Sequence, residues 1–388
     1  MSAEETPISD ASVEEFADIP RRQDVELKHQ HIGALLNEWE ADALLVVDPI
    51  NVAWLTAGMR VRGLASDEEH PALFITPQHR WLLCNNVDSQ RLFDDEIDSL
   101  GFQLKEWPWT GSRDTLLGDL CVNRKVVCDL PFQKFPVVQE RLRSERTFFS
   151  EYEQFRLIKL GKWIGHALEA TARAIEPGQT EEEVAGQLGH RLLHHSIEPL
   201  AIQIAADGRS RTHRRHGFAS RPIQSNAIVQ VTGCREGLHV TACRSVSFDP
   251  VDEMFRHDFE LASRISAIYQ AGSQAGVGVS ALLESARRFL HNSDSEHEWR
   301  LCPPGYRSGR EPAGRILQPT GDGLLLAGQV IVWQARIGSA AVCDTFLITE
   351  QAARWISHSD VWPIRRVKIQ GMAYDRPDLL VQSDNETG

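Results

Sequence analysis

The sequence lacks several features that would place it in a special class of protein. No apolar run approaches the roughly 20 residues that a membrane-spanning helix needs. Basic residues are also scarce, since 41 Lys and Arg stand against 54 Asp and Glu in 388 residues, a net charge of −13. This charge argues against nucleic acid or an anionic membrane as the main partner, because both would repel the chain. The remaining composition, 42% apolar and 24% charged, is typical of a soluble globular protein.

Paired cysteine motifs are missing as well. The seven cysteines are scattered and none forms a CxxC pair, so their spacing predicts neither a disulfide framework nor a Cys/His zinc site. Reduced thiols suit a cytoplasmic protein, and we predict that location. The acidic residues 1–24 have no apolar core, so they are interpreted as a disordered lead-in rather than a secretory signal.

Two domains are predicted from the pattern of elements. Short strands alternate with helices through residues 25–149, which indicates an α/β domain. Residues 150–375 contain two long helices, a group of strands, two further helices and closing strands, an αα-ββ order that occurs twice. Residues 376–388 are interpreted as a tail.

Local signals support the start of the second domain. Ser150 with Glu153, and Thr180 with Glu183, are plausible capping boxes that would open its first two helices. Downstream, the segment 228–246, IVQVTGCREGLHVTACRSV, has the alternation of two strands around a glycine turn. This pattern predicts a β-hairpin.

Four segments occur in a fixed order: IEPGQTEEEVA, RRHGFAS, GLHVTACRSV and GQVIVWQARIGSAAVCDTFLIT. Their order and spacing resemble the pita-bread fold of the creatinase, aminopeptidase P and methionine aminopeptidase superfamily. NVAWLTAG and WLLCNNVDSQRLFDDE resemble the N-terminal domain of its prolidase-like branch. The resemblance covers about residues 25–375. It implies an α/β fold class, with a creatinase-like N-terminal α/β domain and a pita-bread α+β C-terminal domain.

Metallopeptidases of this fold hold two divalent metals with two Asp, one His and two Glu. Hard dications prefer anionic oxygen ligands, and the metals activate a water nucleophile. Carried over by position, the five ligands fall at Gln230, Thr241, the region of Pro303, Gln334 and Cys343. None of these is acidic or a histidine, so the chain resembles a peptidase-like branch without metals, and we expect no metal and no other cofactor.

Two residues are candidates for chemistry on a substrate. His216 matches a histidine that transfers a proton in creatinase, and an imidazole near its ordinary pKa of about 6.5 suits acid–base work. The alternative is a surface histidine in a basic loop. Arg244 could bind a substrate carboxylate, and its alternative is a structural ion pair with Asp344.

The other candidates are interpreted as substrate-binding residues that edge or line a pocket: Tyr306, Arg310, Glu311, Gln230, Thr241, Cys243, Gln334 and Cys343. Tyr306, Arg310 and Glu311 lie in a loop after the fourth helix of the second domain, and solvated loop residues are the alternative interpretation for them. For the two cysteines, a nucleophilic pair with His216 stands beside the simpler interpretation, two small buried hydrophobes.

Three functions follow from this resemblance. The first is a metal-independent hydrolase that cuts a C–N or amide bond in a small molecule or short peptide, with His216 as general base. The second is a catalytically inactive binding protein that keeps the fold. The third is an ordinary Xaa-Pro-type metallopeptidase. The resemblance also implies a homodimer.

Overall fold

The computed structural model describes residues 20–61, 70–248, 250–359 and 361–382. The chain divides into two compact units, residues 1–155 and 156–388. Most of the expected lead-in lies outside the described residues. Its last residues are helical, because helix α1 already begins at Arg21.

Unit 1 is an α/β unit built on a five-stranded sheet of order β4-β3-β2-β1-β5. Strand β1 pairs antiparallel with β2 and parallel with β5. The elements in chain order are α1 Arg21–Glu38, β1 Ala43–Val46, α2 Pro49–Leu55, β2 Ala72–Ile75, β3 Arg80–Asn85, α3 Ser89–Arg91 continued by a π-helix Leu92–Ile97, β4 Gln103–Trp107, α4 Arg113–Cys121, β5 Val126–Cys128 and α5 Gln139–Glu145.

Both faces of this sheet are covered. Alternate residues of β1 belong to two different apolar clusters, with Leu44 and Val46 in one and Ala43 and Leu45 in the other. Opposite side-chain directions along a strand explain this division. A strand buried on both faces has a continuous apolar sequence, and β1, ALLV, is such a strand.

The second part of the chain contains two four-stranded sheets, β15-β8-β7-β6 and β12-β11-β10-β9, and a separate hairpin. Its elements are α6 Glu151–Arg173, α7 Glu181–His194, β6 Glu198–Ala206, β7 Asn226–Arg235, β8 Leu238–Phe248, α8 Glu253–Gly272, α9 Val279–Asn292, β9 Gly305–Arg307, β10 Val330–Ile337, β11 Ala340–Ile348, β12 Ala353–Trp355, β13 Ile364–Ile369, β14 Met372–Pro377 and β15 Leu380–Gln382.

Both predicted capping boxes are confirmed. The Ser150 hydroxyl accepts from the Glu153 amide at 3.3 Å, and the Glu153 carboxylate accepts from the Ser150 amide at 3.0 Å. The reciprocal pair between Thr180 and Glu183 opens α7. These bonds satisfy amide donors that a helix start leaves without partners.

The predicted hairpin is β7–β8. Its two-residue turn places Glu236 at φ 57° and Gly237 at φ 69°, the left-handed geometry that matches the twist of a hairpin. Gln230 faces Cys243 and Thr232 faces Thr241 across the pair. Because side chains alternate along a strand, these four side chains share one face of the hairpin.

The interpretation of residues 376–388 as a tail is wrong in part. Residues Met372–Pro377 form β14, and Leu380–Gln382 forms β15, which pairs in parallel with β8 from Leu380 opposite Val246. This pairing satisfies the outer backbone edge of β8, which would otherwise be an exposed sheet edge. Residues 383–388 lie outside the described residues.

Candidate functional site

The two sheets of unit 2 meet at the face of the β7–β8 hairpin that carries Gln230 and Thr241. The Thr345 hydroxyl on β11 donates to the Thr241 carbonyl at 2.7 Å and accepts from the Thr241 amide at 2.9 Å. Nearby, the Cys243 Sγ lies 3.8 Å from the Ala341 carbonyl. These contacts hold the hairpin face directly against β11.

Strand β10 brings further predicted residues to the same region. Gln334 lies opposite Cys343 in the β10–β11 pair, and Tyr306 on β9 lies opposite Val332. Alternation therefore places the side chains of Tyr306, Gln334 and the residue two positions later, Arg336, on one face. The Gln334 amide nitrogen donates to the Pro303 carbonyl at 2.9 Å.

Arg336 lies beside these residues, although none of the recognised sequence segments pointed to it. It is 6% exposed, and its Nη2 donates to Oε1 of Gln230 at 2.7 Å. Its charge also acts on the pKa values of several surrounding side chains: His216, Cys243, Cys302, Tyr306 and Cys343. We call these residues, with Gln230, Thr232 and Thr241, the Arg336 cluster. A charged residue inside the apolar strand VIVWQARI is the signal that could have found it.

His216 lies within the Arg336 cluster and is 7% exposed. Its Nδ1 is 3.1 Å from the His213 carbonyl, which requires the N–H on Nδ1, and its buried Nε2 has no hydrogen-bond partner. Burial, followed by the charge of Arg336, lowers the pKa of His216 to about 4. The expected imidazole near its ordinary pKa is therefore corrected: the ring is neutral at pH 7, and Nε2 is an acceptor.

Hydroxyl groups form a short chain beside Arg336. The Tyr306 hydroxyl lies 3.3 Å from Oγ1 of Thr241, which is 2.8 Å from Oγ1 of Thr232. Burial raises the pKa of Tyr306 above its usual value. The phenol therefore stays protonated and supplies a donor rather than a charge.

The two candidate cysteines are buried thiols. Cys243 and Cys343 are each 1% exposed and belong to the apolar core. Burial raises the pKa of Cys243 to about 12 and that of Cys343 well above its usual value. Since the thiolate is the nucleophile, these shifts support the interpretation of both as small buried hydrophobes.

Arg244 lies on the opposite face of the hairpin from Cys243, and its donors are all bound within the protein. Nε donates to Glu169 at 2.8 Å, and Nη1 donates to Asp344 at 3.1 Å and to the Cys243 carbonyl at 2.8 Å. Nη2 donates to the Ser357 carbonyl at 2.8 Å and lies 2.7 Å from Glu169. The prediction of substrate binding is therefore replaced by its alternative, the ion pair with Asp344.

Arg310 and Glu311 lie in the loop after β9. Arg310 is 7% exposed, so the alternative of a solvated loop charge does not describe it, and Glu311 is half-buried. The amide of His239 donates to the Gly309 carbonyl at 2.9 Å, which fastens this loop to β8. Burial lowers the pKa of His239 to about 4. A role for Arg310 and Glu311 in binding stays a prediction.

The residues at the five expected ligand positions do not fit a pair of divalent metals. They supply amides, a hydroxyl, a proline and a thiol, while Arg336 places a positive charge on Gln230. Dications need anionic oxygen ligands, and a neighbouring cation opposes them. Throughout the part of the chain that the structure describes, no group of three or more His, Cys, Asp or Glu could hold a metal ion.

All seven cysteines are free thiols. None of the described helices combines the length and the apolar character that crossing a membrane requires.

No protein-family model and no curated protein sequence matches the chain. Solved structures do match it. The prolidase from Pyrococcus horikoshii superposes with a TM-score of 0.72 at 17% identity, over 86% of this chain and 99% of the prolidase. An Xaa-Pro dipeptidase from Bacillus anthracis gives 0.73 at 13% identity, over 92% and 100%. The N-terminal domain of the FACT complex subunit SPT16 from chickpea, Cicer arietinum, gives 0.61 at 11%, over 87% and 95%.

At these identities a structural likeness shows the fold and no more. The matches extend over nearly the whole length of each neighbour and most of this chain. They confirm the predicted fold class, an α/β N-terminal unit with a pita-bread unit after it. The chain has the pita-bread fold of the prolidases and Xaa-Pro dipeptidases.

Proposed function

We propose that unit 2 binds a short peptide or a similar small molecule at the Arg336 cluster, without a pair of metal ions. The observation that carries this proposal is the contact between Arg336 and Gln230. It puts a buried cation at a position where the metallopeptidase fold would require an anionic ligand. A site of this composition suits recognition of a ligand better than activation of a metal-bound water.

Hydrolysis would require a nucleophile and a base that work near neutral pH. Cys243 and Cys343 are protonated thiols, because burial raises their pKa values. His216 has a pKa of about 4, which makes it a weak base. These properties favour the binding protein over the hydrolase among the functions that the sequence allowed.

A second candidate, the metal-independent hydrolase, is favoured by one observation. Nε2 of His216 is buried, has no partner and carries the lone pair of a neutral ring. It could accept a proton from an attacking water, with Arg336 and the Tyr306 hydroxyl stabilising developing negative charge. If hydrolysis of an amide is found, His216→Ala should abolish it, and full activity in that variant would remove this candidate.

The nature of the ligand is proposed from the neighbours. Two of them are named as a prolidase and an Xaa-Pro dipeptidase, so dipeptides of the Xaa-Pro type are the first compounds to test. The chickpea domain is named as a subunit of a complex. The fold is therefore shared by proteins named as peptidases and by one that is not.

The experiment combines binding, turnover and metal content on the purified full chain. Dipeptides and N-acetylated dipeptides are titrated by calorimetry, with and without added Mn²⁺, and the products are followed by mass spectrometry. We expect binding that is insensitive to Mn²⁺, no turnover, and less than stoichiometric metal by elemental analysis. Turnover that depends on Mn²⁺, or stoichiometric bound metal, would restore the Xaa-Pro metallopeptidase.

Assembly and location complete the proposal. The resemblance implies a homodimer, and the free thiols suit the reducing cytoplasm. Light scattering on the purified protein measures the molar mass directly. A mass that corresponds to a single chain of 43.6 kDa at micromolar concentration would remove the dimer from the proposal.

A further inference from the structure

We propose that Arg336 binds the carboxylate of a small monoanionic ligand, and that Nε2 of His216 accepts a hydrogen bond from an uncharged N–H or O–H of the same ligand. This inference rests on the proposed binding function and names the class of ligand: small monocarboxylates that have no free ammonium group. N-blocked amino acids and N-blocked short peptides belong to this class.

The first argument is the incomplete pairing of Arg336. A buried charge is costly unless it is paired and hydrogen-bonded. Among the described residues, Arg336 has a hydrogen bond only to the amide oxygen of Gln230, and no carboxylate lies within ion-pair distance. Arg244, in contrast, contacts two carboxylates. The guanidinium of Arg336 therefore retains donors for an oxyanion, and Arg is the side chain best shaped to bind a carboxylate through two parallel bonds.

Carboxylates nearby are already bound elsewhere. Glu298 is near the cluster, since its charge raises the pKa of Cys302. Its carboxylate accepts from Arg214 at 2.8 Å and from the Gly338 amide at 2.9 Å. Asp344, next to Cys343, contacts Arg244 and Arg376. Within the described ranges of the chain, no carboxylate is in position to neutralise Arg336, which leaves that role to a ligand.

The second argument is the orphaned acceptor of His216. Its Nδ1–H is used by the His213 carbonyl, and its buried Nε2 has no partner. An unsatisfied buried acceptor is destabilising, and a ligand donor would remove that cost. The carbonyl of Gly217, next to His216, accepts from the Ile204 amide at 2.6 Å, and the neighbouring Gln203 lies opposite Gln230, the partner of Arg336, across β6 and β7. His216 and Arg336 are therefore attached to the same part of the sheet, where the charge of Arg336 acts on the imidazole, and one small molecule can reach both groups.

The surroundings select the charge of the ligand. The other members of the Arg336 cluster offer amide, hydroxyl and protonated thiol groups, none of them charged. Arg209 and Arg214 also act on members of the cluster, but they are paired with Glu181 and Glu298. The buried charge left to a ligand is that of Arg336, so a carboxylate fits better than a dianionic phosphate. An ammonium group would lie beside Arg336 with no anion to receive it, and the desolvated repulsion would oppose binding.

The test uses calorimetry with the full chain and four probes: N-acetyl-alanyl-proline, its C-terminal carboxamide, unblocked alanyl-proline and inorganic phosphate. A parallel set based on N-acetylglycine removes any dependence on the proline ring. We expect the blocked carboxylates to bind at least tenfold more tightly than their carboxamides. The unblocked dipeptide and phosphate should bind more weakly than the blocked acid.

Three variants separate the role of Arg336 from a general effect of charge. Arg336→Gln should weaken the carboxylates by roughly 30-fold or more, since it removes a buried charged partner, and should leave the carboxamides unchanged. Arg336→Lys should recover part of the loss. The matched control is Arg366→Gln, because Arg366 is exposed and pairs with Asp375 at 3.0 Å. It makes the same change of charge and should have no effect.

His216 has its own readout. His216→Phe keeps an aromatic ring and removes the acceptor, so it should lower the affinity for the N-acetyl probe and leave the affinity for its N-methylated form unchanged. Equal loss for both forms would show that Nε2 does not receive the N–H.

The outcomes distinguish this inference from the function on which it rests. If acids and carboxamides bind equally well and Arg336→Gln has no effect, the inference is overturned and the binding function stands. If none of the probes binds, both are overturned. If phosphate binds more tightly than every carboxylate, the assigned ligand class is wrong.

Discussion

Two buried arginines of unit 2, Arg244 and Arg336, differ in the groups that bind their guanidinium charges. Arg244, on the back of the β7–β8 hairpin, is 1% exposed and donates to two carboxylates and two carbonyls. Arg336, on the other side of that hairpin, is 6% exposed and has one amide oxygen as its partner among the described residues. Both arginines are buried, so burial does not distinguish an arginine with a structural role from one that binds a ligand. Their hydrogen-bond partners do distinguish them.

The surroundings of the two residues extend this contrast. Arg244 belongs to a buried ion-pair network with three residues that are each 0% exposed: Glu169, Asp344 and Arg376. Burial, together with the charge of Arg244, lowers the pKa of Arg376 to about 10. The Arg336 cluster has no carboxylate and retains unused polar atoms. The buried charges of the first region are paired with one another, whereas Arg336 has no carboxylate partner among the described residues.

The largest loss of stability is expected for Arg244→Met, in the ion-pair network of Arg244. The substitution strands the buried carboxylate of Glu169 and removes one of the two cations on Asp344. An uncompensated buried charge of this kind costs about 3–5 kcal/mol, so the free energy of unfolding should fall by that amount in urea titrations followed by circular dichroism. Arg366→Met, at an exposed ion pair, is the control and should cost less than about 1 kcal/mol. A similar small loss in both variants would refute the network's structural role.

Lowering the pH should reduce the free energy of unfolding, because His216 resists protonation in the folded protein. Its pKa is about 4 in the folded protein and about 6.5 in an unfolded chain. The unfolded chain therefore binds a proton that the folded chain does not, and stability present above pH 6.5 is lost as the pH falls toward 4. At about 1.4 kcal/mol per pKa unit, the loss is about 3 kcal/mol.

The measurement for His216 is the unfolding free energy between pH 7 and pH 4.5. His216→Phe, which cannot be protonated, should have a shallower dependence on pH than the parent protein. The matched control is His213→Phe in the same loop, where the ring is exposed, and it reports the effect of the substitution itself. An unchanged slope for His216→Phe would show that His216 is protonated equally in both states.

Arg336→Met should raise the stability of the ligand-free protein, whereas Arg244→Met lowers it. It removes a buried cation that lacks a carboxylate partner, at the expense of one hydrogen bond to Gln230. Replacing poorly compensated buried charge by an apolar side chain is often stabilising, and here the ligand-free protein should gain about 1 kcal/mol. Differential scanning calorimetry of the ligand-free protein measures it. A loss comparable to that of Arg244→Met would place Arg336 in the structural class.

The sequence predicted the features that depend on local chemistry. The capping boxes and the glycine turn at Gly237 involve residues two or three positions apart, and all were found. Strand alternation, once the fold was assigned, also put Gln230 and Thr241 on one face. Contacts between residues far apart along the chain could not be predicted from local patterns. β15 depends on an open edge of β8, and the contrast between Arg244 and Arg336 depends on partners that lie 75 to 113 residues away along the chain.

The smallest effect in this comparison belongs to the thiols of the Arg336 cluster. Cys243 and Cys343 are fully buried, and their raised pKa values keep them protonated. A buried thiol behaves as a small apolar group. Cys343→Ala should therefore change the affinity for ligands by no more than about twofold. A thiol reagent should modify both cysteines only after unfolding, whereas the half-buried Cys234, outside the cluster, should react first in the folded protein. Rapid labelling of Cys243 or Cys343 in the native state, identified by mass spectrometry, would revive the nucleophilic pair with His216. It would also show that the Arg336 cluster is open enough for chemistry, rather than binding alone.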